Sequence, residues 1–209
     1  MKFFLKNYLL QRSKELNIPM PNDWKEKLYK FLEVEKQINM HFIFTDYGYT
    51  PRTLNAGSMI PKTINFTKEW AVQIVFFDNE KTQNAFLITV GHELTHKEKE
   101  LCTLRIRGTD RKFVWYLNEV HADFGATQKM INSSRKALIS SIEYKKALKK
   151  SDEGDAKHPS WSRRKNYVEK FNFDINLIRQ IANDVNCKNN QLINKAINFY
   201  DTIILFPEI

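Results

Sequence analysis

"TVGHELTHKEKE", residues 89–100, carries two histidines four positions apart with a glutamate beside the first. On an α-helix, residues four apart are rotated by about 40° and rise by about 6 Å, so His92 and His96 leave one face a turn apart. Two imidazoles so placed can grip one metal ion, with Zn–N bonds of about 2.0–2.1 Å. Glu93 points about 100° around the helix, too far for a third ligand but near enough to reach a water beside the ion. H-E-x-x-H on a helix is the pattern that assigns those roles. It is short enough to arise by chance, so its flanks decide. "AFLITV" (85–90) supplies an apolar helical face to bury, and the polar "KEKE" (97–100) reads as a helix end emerging into solvent. The plainer reading is two histidines on a solvated face with a salt-bridging glutamate.

A hydrolytic zinc site needs a third protein ligand and one open position. "NEVHAD" (118–123) offers Glu119, on a separate helix downstream. Asp123 lies one turn beyond it on the same face, placed to accept the free ring N–H of a zinc histidine and fix its tautomer. Ala122, Gly125 and Ala126 would let this helix pack closely against the first. His121 competes as a ligand but lies about 200° around the helix from Glu119. It reads as a surface or packing histidine, as does His41.

The surrounding composition is that of a folded chain. Of 209 residues, 42% are hydrophobic and 13% aromatic, enough for a core and against wholesale disorder. The net charge is +9 and the pI about 9.4, which leaves a polyanionic partner such as nucleic acid open. The lysines are nonetheless spread along the chain without a dense basic block. Cys102 and Cys187 belong to no paired motif and read as reduced thiols. The opening "MKFFLKNYLLQRSKEL" has too short an apolar run to be a secretion signal. The longest apolar stretches, "WAVQIVFF" (70–77) and "TIILF" (202–206), fall far short of a membrane span. The expectation is a soluble, cytoplasmic protein.

Along the chain, Asn22 or Asp23 caps a helix whose apolar positions Trp24, Leu28, Phe31, Leu32 and Ile38 keep the helical period. "HFIF" (41–44), "TLNAGSMI" (53–60) and "TINF" (63–66) read as strands separated by turn residues. "TKEWAVQIVFF" (67–77) is ambiguous between helix and buried strand. Helices are expected from 79 or 80 through the HELTH motif, then over about 113–131, 134–149, 160–171, 174–185 and 189–204. The polar stretch 149–160 is the best internal loop. Strands first and helices after imply an α+β fold.

"HELTH" followed by "NEVHAD" resembles the gluzincin metallopeptidases, whose pattern is HExxH and then an ExxxD helix. The chain is more closely similar to the CAAX prenyl endopeptidases and their HtpX-type relatives. Their pattern places Asn-Ala in an edge strand, then HExxH, then ExxxD with Ala before the Asp, then His-Pro with Arg six residues beyond the His. Here stand Asn55-Ala56, His92 to His96, Glu119 with Ala122-Asp123, and His158-Pro159 with Arg164. The resemblance covers about residues 53 to 164. Residues 1–40 and 172–209 match no part of it. Those relatives are mostly membrane enzymes, so their membrane substrates do not carry over to a chain without a spanning segment.

The resemblance implies a zincin-like α+β domain. It would comprise a helical extension (1–40), a sheet with the zinc-binding helices (41–131) and a helical part (132–209). It implies one Zn²⁺ per chain on His92, His96 and Glu119, and zinc-dependent hydrolysis of peptide bonds with Glu93 as general base. Asn55 and Ala56 would bind an extended peptide substrate as a further strand. His158 would face the oxyanion, and Arg164 would reach the Glu119 carboxylate, with Arg163 competing for that role. Two other classes stay open: a basic regulator associated with nucleic acid, and a protein-binding module that keeps the zinc site without cutting.

Overall fold

A computed structural model describes residues 2–46, 53–57, 60–98, 100–130, 134–148 and 152–201. Two compact units divide the chain, Met1–Phe86 and Leu87–Ile209. Among the described residues the elements are mostly helical with one small sheet, an α+β composition.

The first unit opens with α1 (Lys2–Leu16) and α2 (Trp24–Ile38). Asp23 stands at the start of α2 without a side-chain cap bond. Asn39 ends it in the left-handed region, φ 51°, where its N–H and that of Met40 bond back to Lys36 and Glu35. Three strands follow: β1 (His41–Phe44), β2 (Ala56–Gly57) and β3 (Thr63–Phe66), in the order β1-β3-β2. β1 runs parallel to β3 with His41 opposite Thr63, and β2 runs antiparallel with Ala56 opposite Phe66. The strand expected over 53–60 is thus two residues long where described, and 58 and 59 lie outside the described residues.

The sheet's inner face is aromatic. Phe66 packs within 5.0 Å of Phe42 and 5.2 Å of Phe86, and Phe31 meets Phe86 edge-on at 4.4 Å. Such ring pairs contribute about 0.5–1.5 kcal/mol beyond their area. Glu35 of α2 accepts the Phe42 N–H, which faces away from β3, so α2 closes the outer edge of β1. The ambiguous stretch resolves as helix α3 (Glu69–Phe76), buried continuously from Glu69 to Val75. Both α1 and α2 pack on it. An element covered all round has no apolar stripe, which is why its period gave no answer. Glu69, buried within it, accepts from Tyr8 Oη at 3.2 Å and Arg12 Nη2 at 3.1 Å.

The boundary between the units falls within α4 (Glu80–Glu98). The second unit continues with α5 (Gly108–Lys129), α6 (Arg135–Ala147), α7 (Trp161–Lys170), α8 (Ile175–Asp184) and α9 (Asn190–Asp201). α5 starts five residues earlier than the apolar period suggests. It forms the centre of the core: Phe113, Leu117, Val120 and Phe124 meet Leu138 and Ile142 of α6, Tyr167 of α7 and Leu177 and Ile181 of α8. Ser134, Ser160 and Asp174 cap α6, α7 and α8 through their side chains, each worth about 1 kcal/mol. The connector after α4 is tied down by Asn118 of α5, which accepts the Leu101 N–H and donates to the Leu101 carbonyl, both at 3.1 Å. Tyr200 of α9 donates to the same Asn118 oxygen at 2.7 Å. No helix among the described residues is long and apolar enough to cross a membrane.

Candidate metal centre

The site is built where α4 and α5 approach within the second unit. A β-carbon on Gly91 would stand 2.9 Å from the Ala126 carbonyl oxygen, a contact only glycine allows. Gly91 and Ala126 therefore bring the two backbones together. His92 and His96 leave α4 toward Glu119 of α5.

Their ligand atoms lie within 4.8 Å of one another. His92 Nε2 and His96 Nε2 are 2.9 Å apart, and each stands 3.5 Å from a different oxygen of Glu119. The far side of each ring meets a carboxylate. Asp123 Oδ1 lies 3.0 Å from His92 Nδ1, and Glu100 bonds His96 Nδ1. A carboxylate accepts and does not donate, so both Nδ1 atoms carry protons, and in each neutral ring Nε2 is the nitrogen with the lone pair. Two lone pairs and a carboxylate converging on one point suit a cation. The residues present therefore fit a zinc ion: two imidazole nitrogens and one carboxylate oxygen, with a bound cation taking the place of any proton on Nε2.

Arg164 of α7 reaches Asp123 with two donors, Nε to Oδ2 at 2.7 Å and Nη2 to Oδ1, while its Nη1 stands 3.6 Å from Glu119 Oε2. Its principal partner is thus Asp123, with Glu119 at the edge of its reach. Arg163 is less buried and donates its backbone N–H to the Ser160 cap. The Trp161 ring supports the Arg164 guanidinium at 4.4 Å and lies 5.5 Å from the ammonium of Lys145, a buried lysine of α6.

The charges in this interior decide one another. Burial would raise the Glu119 carboxyl, but its bond to His92 and the charges of His92, His96 and Arg164 hold it well below the ordinary range. Asp123 behaves likewise: burial is overcome by Arg164 and His92, leaving it at about 2. For His96, burial is outweighed by the Glu100 bond and the charges of Glu119 and Glu93, which raise it to about 9. Lys145 goes the other way, lowered to about 8 by burial and then by Arg164. Both carboxylates around the rings are therefore ionised and ready to balance a cation.

Glu93 is 7% exposed and forms no hydrogen bond or ion pair among the described residues. Its charge nevertheless acts on His96, Arg164 and Lys145, which places it beside the centre. His158 stands in the loop before α7, half exposed, with Nε2 3.6 Å from Glu119 Oε1. Asp155 builds that loop. Its carboxylate accepts the N–H groups of Lys157 and His158 at 2.6 and 2.7 Å and meets His158 Nδ1 at 2.9 Å. Tyr116 of α5 donates to the Asp155 carbonyl at 3.0 Å, fastening the loop to the helix that carries Glu119.

Asn55 and Ala56 belong to the first unit, at the sheet edge formed by β2. The Asn55 N–H and carbonyl bond Thr67 at 3.3 and 3.0 Å, and its side chain donates to Thr53. By the alternation of an antiparallel ladder, the Ala56 backbone then faces away from β3. His121 is a packing histidine, 4.6 Å from Tyr200 and 5.1 Å from Phe173. His41 heads β1 on the surface.

Glu100, Asp155, Trp161 and Lys145 are the site neighbours that sequence reasoning missed. Glu100 had a signal, since it follows His96 by one helical turn. No family model matches the chain, and neither a curated protein nor a solved structure does.

Proposed function

We propose that the chain is a zinc-dependent peptidase of the gluzincin kind, built on a zincin-like fold. The observation that carries this reading is the convergence of His92 Nε2, His96 Nε2 and the Glu119 carboxylate, with Asp123 and Glu100 fixing the far side of each ring. The order of motifs along the chain supports it.

A zinc ion on those three residues would supply Lewis acidity, polarising a scissile carbonyl and easing the ionisation of a water molecule. The chain's own groups do the rest. Glu93 accepts a proton from the attacking water as the C–O bond forms, then passes it to the amide nitrogen, and the C–N bond breaks as the amine leaves. His158 acts here as the imidazolium: Asp155 accepts from Nδ1–H, and Nε2–H donates to the carbonyl oxygen as that oxygen gains charge. Arg164 and Asp123 keep His92 in register throughout.

The test is metal analysis of the purified chain joined to a proteome-derived cleavage screen, wild type against Glu93→Gln. One zinc per chain, with cleavage only by wild type, is the expected result. Stoichiometric zinc with nothing cleaved by either protein would instead assign a partner-binding module.

A further inference from the structure

Arg111, Trp115 and Glu119 follow one another at four-residue steps on α5 and so share one face of that helix. Two cations flank the Trp115 ring: Arg111 Cζ lies 5.5 Å from its centroid and Lys157 Nζ 5.6 Å. Lys157 is the residue before His158, so Trp115 stands one turn from Glu119 along the helix, Arg111 two turns from it, and Lys157 next to His158 along the loop. Arg111 is steadied by its Nε–H bond to the Ile106 carbonyl at 2.5 Å, which leaves both terminal amino groups for a ligand. Neither Arg111 nor Lys157 forms an ion pair among the described residues. The nearby carboxylates are committed elsewhere: Asp110 to Cys187 and Asn189, Asp155 to His158.

A half-buried indole beside two unneutralised cations has a definite complement. It suits a short apolar stem ending in an anion, since guanidinium and ammonium bonds to a carboxylate are the stronger, charge-assisted kind. We propose that Trp115, Arg111 and Lys157 form a substrate subsite that receives an acidic side chain of the bound peptide. The inference rests on the peptidase reading and narrows it to substrates with Asp or Glu near the cut bond. A nucleic acid is the poorer fit, because the Asp155 and Glu119 carboxylates interrupt the patch where a run of phosphates would need to pass.

The experiment uses the full chain loaded with zinc. Peptides cleaved in the screen are remade as matched pairs with Glu or Gln at each position flanking the cut. One position should show about a tenfold preference for Glu. Lys157→Glu should abolish or invert that preference toward Lys while zinc content and melting temperature stay unchanged. Equal cleavage of all pairs, or a preference unaltered by Lys157→Glu, overturns the subsite. Binding of the same pairs to the Glu93→Gln protein is measured in parallel. If wild type cleaves nothing, the peptidase reading fails by itself and the binding arm decides the subsite. Glu-dependent binding lost in Lys157→Glu sustains it, and no discrimination overturns it. Salt-sensitive binding of a single-stranded oligonucleotide, lost in Lys157→Glu and without any peptide preference, would assign the patch to nucleic acid instead.

Discussion

Asp123 Oδ1 stands 3.0 Å from His92 Nδ1 in the interior, and that contact decides which nitrogen of His92 faces Glu119. Asp123→Ala should therefore weaken zinc binding about 10- to 100-fold, the usual cost of losing an orienting carboxylate. It also strands the Arg164 guanidinium, which should lower stability by about 3–5 kcal/mol. Chelator competition and thermal melts read the two effects separately. Unchanged zinc affinity would show that the tautomer is set by something else.

The ligand set is tested by metal content. His92→Ala, His96→Ala and Glu119→Ala should each sharply lower bound zinc, whereas Glu93→Gln should keep it and lose hydrolysis. Full zinc in Glu119→Ala would mean another residue is the third ligand. Turnover preserved in Glu93→Gln would end its role as the base.

His158→Ala should lower kcat by about 10²–10³ while KM changes little and zinc is retained, as expected for a donor to a developing oxyanion. Asp155→Ala should give a smaller loss in the same direction, because it holds the ring and the loop without touching the reacting atoms. Wild-type rates in His158→Ala would remove it from the reaction.

Lys145 makes a pH prediction. Its folded pKa is lowered from 10.5 to about 8, so between those values the unfolded chain binds more protons than the folded one. The contribution of Lys145 to stability therefore rises with pH across that window. Below pH 8 its buried charge is a cost, on the order of 3 kcal/mol at most. Urea unfolding of wild type and Lys145→Met, both in chelator, should show the variant gaining at pH 7 relative to pH 10. A difference independent of pH would refute this.

The helix approach has its own test. A β-carbon at Gly125 would come within 2.5 Å of the Thr95 side chain, itself buried and bonded to the Gly91 carbonyl. Gly125→Ala should cost about 1–3 kcal/mol by overpacking and loosen the zinc site with it. Unchanged melting would show that α4 can shift at no cost.

What was legible in the sequence followed from helical spacing. His92, His96, Glu119 and Asp123 sit at four-residue steps on two helices, and the geometry of one turn is the same in any protein. The strands 41–44 and 63–66 were legible because β-branched and aromatic runs stand between turn residues. α3 was not, since a helix buried on every side has no period to read. Asp155 acts through a tight turn, where backbone bonds and not spacing bring it to His158. Lys145 and Trp161 reach the site from α6 and α7, and only the packing of those helices on α5 puts them there. Glu100 was passed over because charge after a helix end looks like solvation.

The Leu101 amide belongs to no helix or strand, yet it is held by the Asn118 side chain beneath Tyr200. In deuterated water a loop amide ordinarily exchanges at once, whereas this one waits for the α9 contact to open. Its exchange rate is therefore a local clock for the second unit, readable at a single resonance, and it runs just upstream of the helix that carries Glu119.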